Sequence, residues 1–280
     1  MTLKLGIVGC GGMGFRHMQG ISEVMRHSDI AKLEAICDLH EEAANHVANE
    51  AEKNNGYRPK IYTDFDSMIS ESGIDILDIV TDTKTHHAFA IKAMNKGISV
   101  LTEKPMGITL KACRKMKDVQ EKNNVKLAVA ENYRRDPMNR LVKALIDEGA
   151  IGDLQMVIDV SVSGGGYLMH GTGWRAKKSL AGSLILEQGV HTSDLILYFM
   201  GKAKTIYAKT GVLNPIRKTS GMLNEQLKKF YGHRVEDQLD NSESQIEIDA
   251  EDTAISVIEF ENGSIGQMTM SSAASGYGFG

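Results

Sequence analysis

Glu103-Lys104-Pro105 sets a primary amine between a carboxylate and a ring that fixes one backbone dihedral. It follows the run Ile98–Thr102, which reads as a buried strand. The ammonium would therefore stand at the carboxyl edge of a parallel sheet, where open α/β folds bind their ligands. An amine held there can donate to a reacting oxygen and stabilise negative charge developing on it. The proline also permits a cis peptide, which would hold the direction of the lysine. Taken alone the tripeptide is common and describes a solvated surface lysine. Its neighbours argue for chemistry.

Gly9-Cys10-Gly11-Gly12-Met13-Gly14 fits G-x-G-x-x-G, directly after one strand and opening a helix. Gly9 allows the tight turn, Gly11 lets the backbone approach a pyrophosphate, and Gly14 lets helix and strand pack closely. Cys10, Gly12 and Met13 complete the cradle, and the free amides of the helix N-terminus would hold the phosphates. Asp38 closes the second strand. A carboxylate there accepts from ribose hydroxyls and repels a 2′-phosphate, which favours NAD, with NADP left open by the nearby His40. Thr81, Thr83 and His86 follow the fourth strand and are expected on the nicotinamide side, together with Glu103 and Lys104. His86 and His87 point about 100° apart on a helix and do not chelate one metal. No metal site is expected.

These groups need a scaffold, and the first half supplies a regular one. Short β-branched runs (Leu3–Val8, Leu33–Cys37, Lys60–Tyr62, Ile76–Val80, Ile98–Thr102, Leu127–Ala130) alternate with helical patterns near 12–25, 41–54, 64–71, 85–96 and 109–123. That alternation predicts βαβ units and a parallel sheet. Thr85 and Thr109 are expected N-caps, and Gly97 a C-terminal cap. After about Asn132 the rhythm changes to a helix near 137–148, a strand Leu154–Val162, a helix near 189–200, and strands near 203–210, 254–261 and 265–271. Longer alternating strands predict a mainly antiparallel open sheet. The expectation is an α/β protein with a Rossmann dinucleotide-binding domain over 1–125 and an α+β substrate and oligomerisation domain over 126–280. Residues 214–250 are polar apart from an amphipathic stretch, Met222–Tyr231, and read as an insertion or a lid.

The composition fits that picture. Among 280 residues, 42% are hydrophobic and 24% charged, ordinary values for a globular protein. A net charge of −4 gives no reason to expect nucleic acid or an anionic membrane as partner. Cys10, Cys37 and Cys113 are scattered, without a CxxC pair, and read as reduced thiols. No apolar run approaches the roughly 18 residues that span a bilayer. The first strand starts by Leu3, which leaves no room for a signal peptide, so a cytoplasmic protein is expected.

In order along the chain, Gly9–Gly14, Thr81–His86, Glu103-Lys104-Pro105, Asn132-Tyr133-Arg134-Arg135, Gly149-Ala150-Ile151-Gly152, Trp174-Arg175 and Gly189-Val190-His191-Thr192-Ser193-Asp194 resemble the Gfo/Idh/MocA oxidoreductases, from residue 1 to about 271. The resemblance implies hydride transfer between a nicotinamide cofactor and a hydroxyl or keto carbon of a sugar or cyclitol. It implies Lys104 and His191 as catalytic residues, with Glu187 standing where aspartate is more usual. A histidine suits the base, because imidazole titrates near working pH. Glu187 and His191 are i and i+4, so on a helix they share a face, and Glu187 is expected to orient His191 or a second hydroxyl. Arg134, Trp174 and Arg175 are expected substrate contacts, with Tyr167 and His170 as weaker candidates. Asp194 is expected to cap or pair within its own helix. An NAD-dependent glycosidase using transient oxidation, and a cofactor-binding regulator, are the alternatives. Relatives pair through the open sheet face of the second domain, which implies a homo-oligomer, a dimer or tetramer. Similar proteins continue past Gly280, so the second sheet is expected to lack its last strands.

Overall fold

The computed structural model describes residues 2–164, 173–218 and 245–274. Tyr167, His170 and the stretch 222–231 lie outside the described residues, as does the end from 275 onward. The chain forms two compact units that divide after Ala130.

In the first unit, six strands carry short apolar runs that feed both faces of one sheet. They are β1 (Leu3–Val8), β2 (Ala31–Cys37), β3 (Lys60–Tyr62), β4 (Ile76–Ile79), β5 (Ser99–Thr102) and β6 (Leu127–Val129), in the order β3-β2-β1-β4-β5-β6. Every pairing is parallel. The helices are α1 (Gly12–His27), α2 (Glu41–Asn55), α3 (Phe65–Glu71), α4 (Thr83–Met94) and α5 (Leu110–Asn123). Successive residues of β1 point to opposite sides. Ile7 packs in a cluster with Met18 of α1 and Ala44, Val47 and Ala51 of α2. Val8 joins the other cluster, with Met68 of α3, Ala90, Ala93 and Met94 of α4, and Met116 of α5. Strand order reverses between β1 and β4, the point at which such folds take their ligands.

Local chemistry explains the helix ends. Thr109 caps α5 by accepting from the Ala112 amide at 3.2 Å, as its position predicts. Gly97, at φ +79°, closes the end of α4, its N–H donating to the Met94 carbonyl. Thr85 is not an N-cap. Helix α4 starts two residues earlier, with Asp82 in extended conformation at the cap position, and the Thr85 hydroxyl donates to the Asp82 carbonyl at 2.7 Å.

The second unit opens with a 3-10 turn, Tyr133–Arg135, and α6 (Pro137–Asp147), capped by the Asp136 carboxylate. It continues through β7 (Met156–Gly164), a 3-10 turn at Gly173–Ala176, α7 (Lys178–Ala181), α8 (Leu184–Met200), β8 (Ala203–Gly211), β9 (Ile216–Lys218), β10 (Gln245–Glu247), β11 (Thr253–Phe260) and β12 (Ile265–Ala274). The main sheet has the order β7-β12-β11-β8. Strand β11 runs antiparallel to both neighbours, whereas β7 joins β12 in parallel. β9 and β10 form a separate antiparallel pair.

Helix α8 begins at Leu184 rather than near 189, because the Ser183 side chain accepts from the Leu186 amide and supplies an N-cap. It covers one face of the main sheet, with Ile196 and Met200 against Ile258 and Phe260. Gly189 permits this close seat: a Cβ there would lie 3.0 Å from Met270 Sδ. Among the described residues no helix is long and apolar enough to cross a membrane.

Candidate active site

The glycine turn is built as a phosphate cradle would be. Gly9 adopts φ +100°, and a Cβ on it would meet the Val80 carbonyl oxygen at 2.5 Å. A Cβ on Gly14 would stand 2.0 Å from the Gly9 carbonyl oxygen, so only glycine lets α1 start this close to β1. Gly11 differs: nothing lies within 4 Å of the place its Cβ would take. Gly11 is also the N-cap of α1 and brings no side-chain acceptor, and the first turn carries no acidic residue. The Gly12, Met13 and Gly14 amides therefore open α1 without an acceptor from the helix itself, the arrangement that a dinucleotide pyrophosphate requires.

Asp38 lies just past β2 and is buried. Its Oδ2 accepts from the Cys10 amide at 2.7 Å and its Oδ1 from the His40 amide at 2.9 Å. The carboxylate therefore braces the turn, beyond the ribose contact expected of it. Burial, with the charges of Asp38 and Asp64 added, pushes the Cys37 thiol up to about 12, so it remains a neutral packing group.

The segment after β4 is fixed by its own side chains. Thr81 and Thr85 share a hydroxyl hydrogen bond at 2.7 Å, and Thr83 is buried at the start of α4. His86 is 1% exposed; its Nδ1 lies 2.9 Å from the Pro105 carbonyl and its Nε2 2.9 Å from the Thr81 carbonyl. It thereby ties the Thr81 loop to the loop carrying Lys104. The Lys104–Pro105 peptide is cis. Glu103 Oε2 accepts from the Lys104 amide at 2.9 Å, and its Oε1 meets His17 Nε2 at 3.0 Å. His17, on α1, also contacts Asp78 of β4 through Nδ1 at 2.8 Å. His17 and Asp78 formed no part of the sequence reading; their partners lie far away in the chain, and no local pattern marks them.

In the second unit His191 sits in the middle of α8, mostly buried, with both oxygens of Glu131 on its Nδ1 at 2.7 and 2.8 Å. Tyr133 stacks on the imidazole at 4.2 Å between centroids and 14° between planes. Glu131 was absent from the sequence expectation, which paired His191 with Glu187. Helix α8 does carry both residues, but Glu187 turns to Arg175, Oε1 to Nε at 3.4 Å, and both members of that pair are buried. Arg175 also lies over the ring of Trp174, at 4.3 Å. Arg134 makes a two-pronged ion pair with Asp194 (2.8 and 2.7 Å) and lies over Tyr198 at 4.8 Å. Asp194 thus pairs outside its own helix, with the 3-10 turn that presents Tyr133. Among the described residues no group of three or more His, Cys, Asp or Glu side chains could hold a metal ion.

An ionised carboxylate only accepts hydrogen bonds, so Glu131 places a proton on His191 Nδ1. In that tautomer the lone pair of the ring lies on Nε2, the atom that could accept a proton. Carboxylate, stacked ring and helix together fix the direction of that lone pair.

Two family models match the chain. One is described as an oxidoreductase family with an NAD-binding Rossmann fold, over residues 3–131, and the other as a GFO/IDH/MocA C-terminal domain, over residues 139–278. Levoglucosan dehydrogenase of Pseudarthrobacter phenanthrenivorans is 27% identical over 98% of this chain and 69% of its own length. Inositol 2-dehydrogenase 2 of Saccharopolyspora erythraea is 28% identical over 72% of this chain and 55% of its own. The chain thus spans between about half and two thirds of these relatives. A solved structure of levoglucosan dehydrogenase in complex with NADH superposes with a TM-score of 0.78 at 25% identity, covering 99% of this chain and 68% of the other.

Proposed function

This chain belongs to the Gfo/Idh/MocA oxidoreductase family, and from that premise we propose that it oxidises or reduces a hydroxyl-bearing carbon of a free sugar or cyclitol, with Lys104 and His191 acting on the oxygen of that carbon. The observation that carries the reading is the Glu131–His191–Tyr133 arrangement, which leaves one imidazole lone pair directed and available. NAD, when bound, supplies the hydride acceptor. Gly9, Gly11 and Gly14, with the α1 amides, would hold its phosphates, and Asp38 would face its adenosine ribose and favour NAD over NADP.

The proton follows a short path. His191 Nε2 accepts it from the reacting hydroxyl, while Glu131 stabilises the imidazolium that results, as a buried carboxylate behind a catalytic histidine does. Lys104 donates to the same oxygen and stabilises the charge that builds there. Arg134, Trp174 and Arg175 are proposed to shape the sugar site, and Glu187 to act through Arg175. In the reverse direction the same groups return the proton to a carbonyl oxygen.

Replacing Lys104 or His191 by alanine is expected to lower turnover by about a hundredfold or more, the scale of losing one acid–base group, with NADH affinity largely kept. Glu131→Gln keeps the shape but not the charge, and is expected to lower turnover by about tenfold or more. Steady-state rates with each variant check this; near-normal turnover removes the residue from the mechanism. Cleavage of a glycoside without net NADH would instead favour the glycosidase reading.

A second copy of this chain is the partner proposed for the open face of the main sheet, where apolar side chains stand exposed on all four strands.

A further inference from the structure

His17 stands one turn into α1, past the glycine cradle, and reaches two carboxylates at once. Its Nδ1 is 2.8 Å from Asp78 Oδ2 and its Nε2 3.0 Å from Glu103 Oε1. The three side chains are 15%, 2% and 11% exposed. Burial and the charge of Glu103 push the Asp78 carboxyl up, while the hydrogen bond and charge of His17 pull it down. With both carboxylates ionised neither offers a proton, so both ring nitrogens donate and the ring is an imidazolium. Burial alone would depress its pKa, but the hydrogen bonds and charges of Asp78 and Glu103 outweigh that and hold it at about 10. The same cation, with Lys104, pulls Glu103 below the usual carboxylate range against its burial. The remaining oxygen of Asp78, Oδ1, is buried without a hydrogen-bond partner, so His17 is what compensates that carboxylate among the described residues.

A buried charge of this kind is costly and adds little stability over an apolar side chain of similar volume. What it adds is position. The triad joins the helix that opens on the glycine cradle, the strand on the other side of the switch point, and the residue directly before Lys104. Glu103 spends one oxygen on His17 and the other on the Lys104 amide, so the rotation of Glu103 sets the course of the backbone that carries Lys104.

We propose that His17 is a positioning residue for Lys104: as a cation held by Asp78, it locks Glu103 in the orientation that caps the Lys104 amide, and thereby links the cofactor-binding helix to the loop presenting the catalytic amine. The proposal rests on the assignment of Lys104 to the reacting oxygen. The role it adds is exercised through Glu103.

The first test needs no variant. In the ¹⁵N-labelled protein at pH 8, where an ordinary histidine is neutral, both ring nitrogens of His17 should carry protons; a ring with one bare nitrogen overturns the proposal. The second compares wild type with His17→Gln by amide hydrogen exchange and steady-state kinetics. Exchange over residues 102–107 should quicken at least tenfold while α2 and β2 exchange as before. With the polyol that reduces NAD fastest in wild type, kcat should fall at least tenfold and the KM for NAD stay within threefold. Unchanged exchange at 102–107, exchange raised equally throughout the unit, or a loss confined to the KM for NAD would each overturn it. Lys104→Ala, run alongside, separates the two claims. If Lys104→Ala is inactive and His17→Gln is normal, this proposal alone fails; if Lys104→Ala turns over normally, the reading of Lys104 fails and takes this one with it.

Discussion

Among the described residues, two largely buried imidazoles are steered by carboxylates, and the number of carboxylates decides what each can do. His191 has one, Glu131, on Nδ1, which leaves Nε2 for the proposed base role. His17 has two, one on each nitrogen; with both ionised, nothing is left to accept a proton and the ring is the fixed cation proposed above. A pH dependence follows for His17. Its pKa rises from 6.5 to about 10 on folding, so its contribution to stability is complete below about pH 6.5 and is lost as pH climbs through 10. Thermal unfolding of wild type should therefore lose more stability between pH 7 and 10 than does a variant carrying His17→Gln with Asp78→Asn; parallel curves would show that the ring is neutral in the fold. None of these pairings was legible in the sequence. Asp78 and Glu103 lie 61 and 86 residues from His17, and Glu131 lies 60 from His191, so only the tertiary fold brings them together. The i, i+4 spacing of Glu187 and His191 suggested a local partner, but a shared helix face does not make a contact when a buried arginine competes for the carboxylate.

At the scale of elements, the glycine fingerprint was read with separate tasks for its glycines, and the geometry makes those tasks testable one by one. Gly14→Ala puts a Cβ against the Gly9 carbonyl oxygen, so it should lower the melting temperature and weaken NADH binding together. Gly11→Ala meets no protein atom, so it should leave the melting temperature within about a degree or two while weakening NADH binding at least tenfold. Differential scanning fluorimetry and NADH fluorescence titration distinguish them. If Gly11→Ala binds NADH normally, the cradle does not approach a phosphate at that point. Strand and helix positions in the first unit, and the parallel pairing, were legible because short apolar runs alternating with helical patterns leave few alternatives; the strand order was not read from the sequence. Helix starts were less so: α4 opens after Asp82, whose side chain makes no capping hydrogen bond, and Ser183 caps α8, where Thr85 and a start near 189 had been the more visible signals. Capping by a short polar side chain offers many candidate sites in any sequence, and the backbone conformation chooses among them.

At the scale of the molecule, each unit has its own means of holding together. The second unit anchors β9 to the main sheet through the buried pair Arg217–Asp252, at 2.8 Å, where Asp252 also accepts from the Leu213 and Asn214 amides. Arg217→Ala strands that carboxylate and should cost about 3–5 kcal/mol of unfolding free energy, measurable by urea denaturation; a loss below about 1 kcal/mol would mean that water reaches the site. On the face away from α8, Met156, Ile158 and Val160 of β7, Tyr207 of β8, Ile255 and Val257 of β11, and Ile265 of β12 are each about half exposed or more. An exposed apolar area of this kind suits the second copy proposed for this face. Wild type is expected to sediment as a pair or larger, and Val257→Lys, placed centrally on β11, to halve that mass; a wild type that sediments as a single chain, or a mass unaltered by the variant, would contradict the proposed use of this face. The family assignment extends over both units, whereas the substrate is written in neither, because sugars and cyclitols differ by hydroxyl placement that no single motif records. The central claim, that Lys104 and His191 carry hydride chemistry at a hydroxyl carbon, meets its most direct test at the NADH absorbance band, with a panel of free sugars and cyclitols offered to wild type and Lys104→Ala side by side. The account predicts steady NADH accumulation with at least one compound and a rate lower by about a hundredfold in the variant; accumulation at equal rates in the two proteins would contradict it.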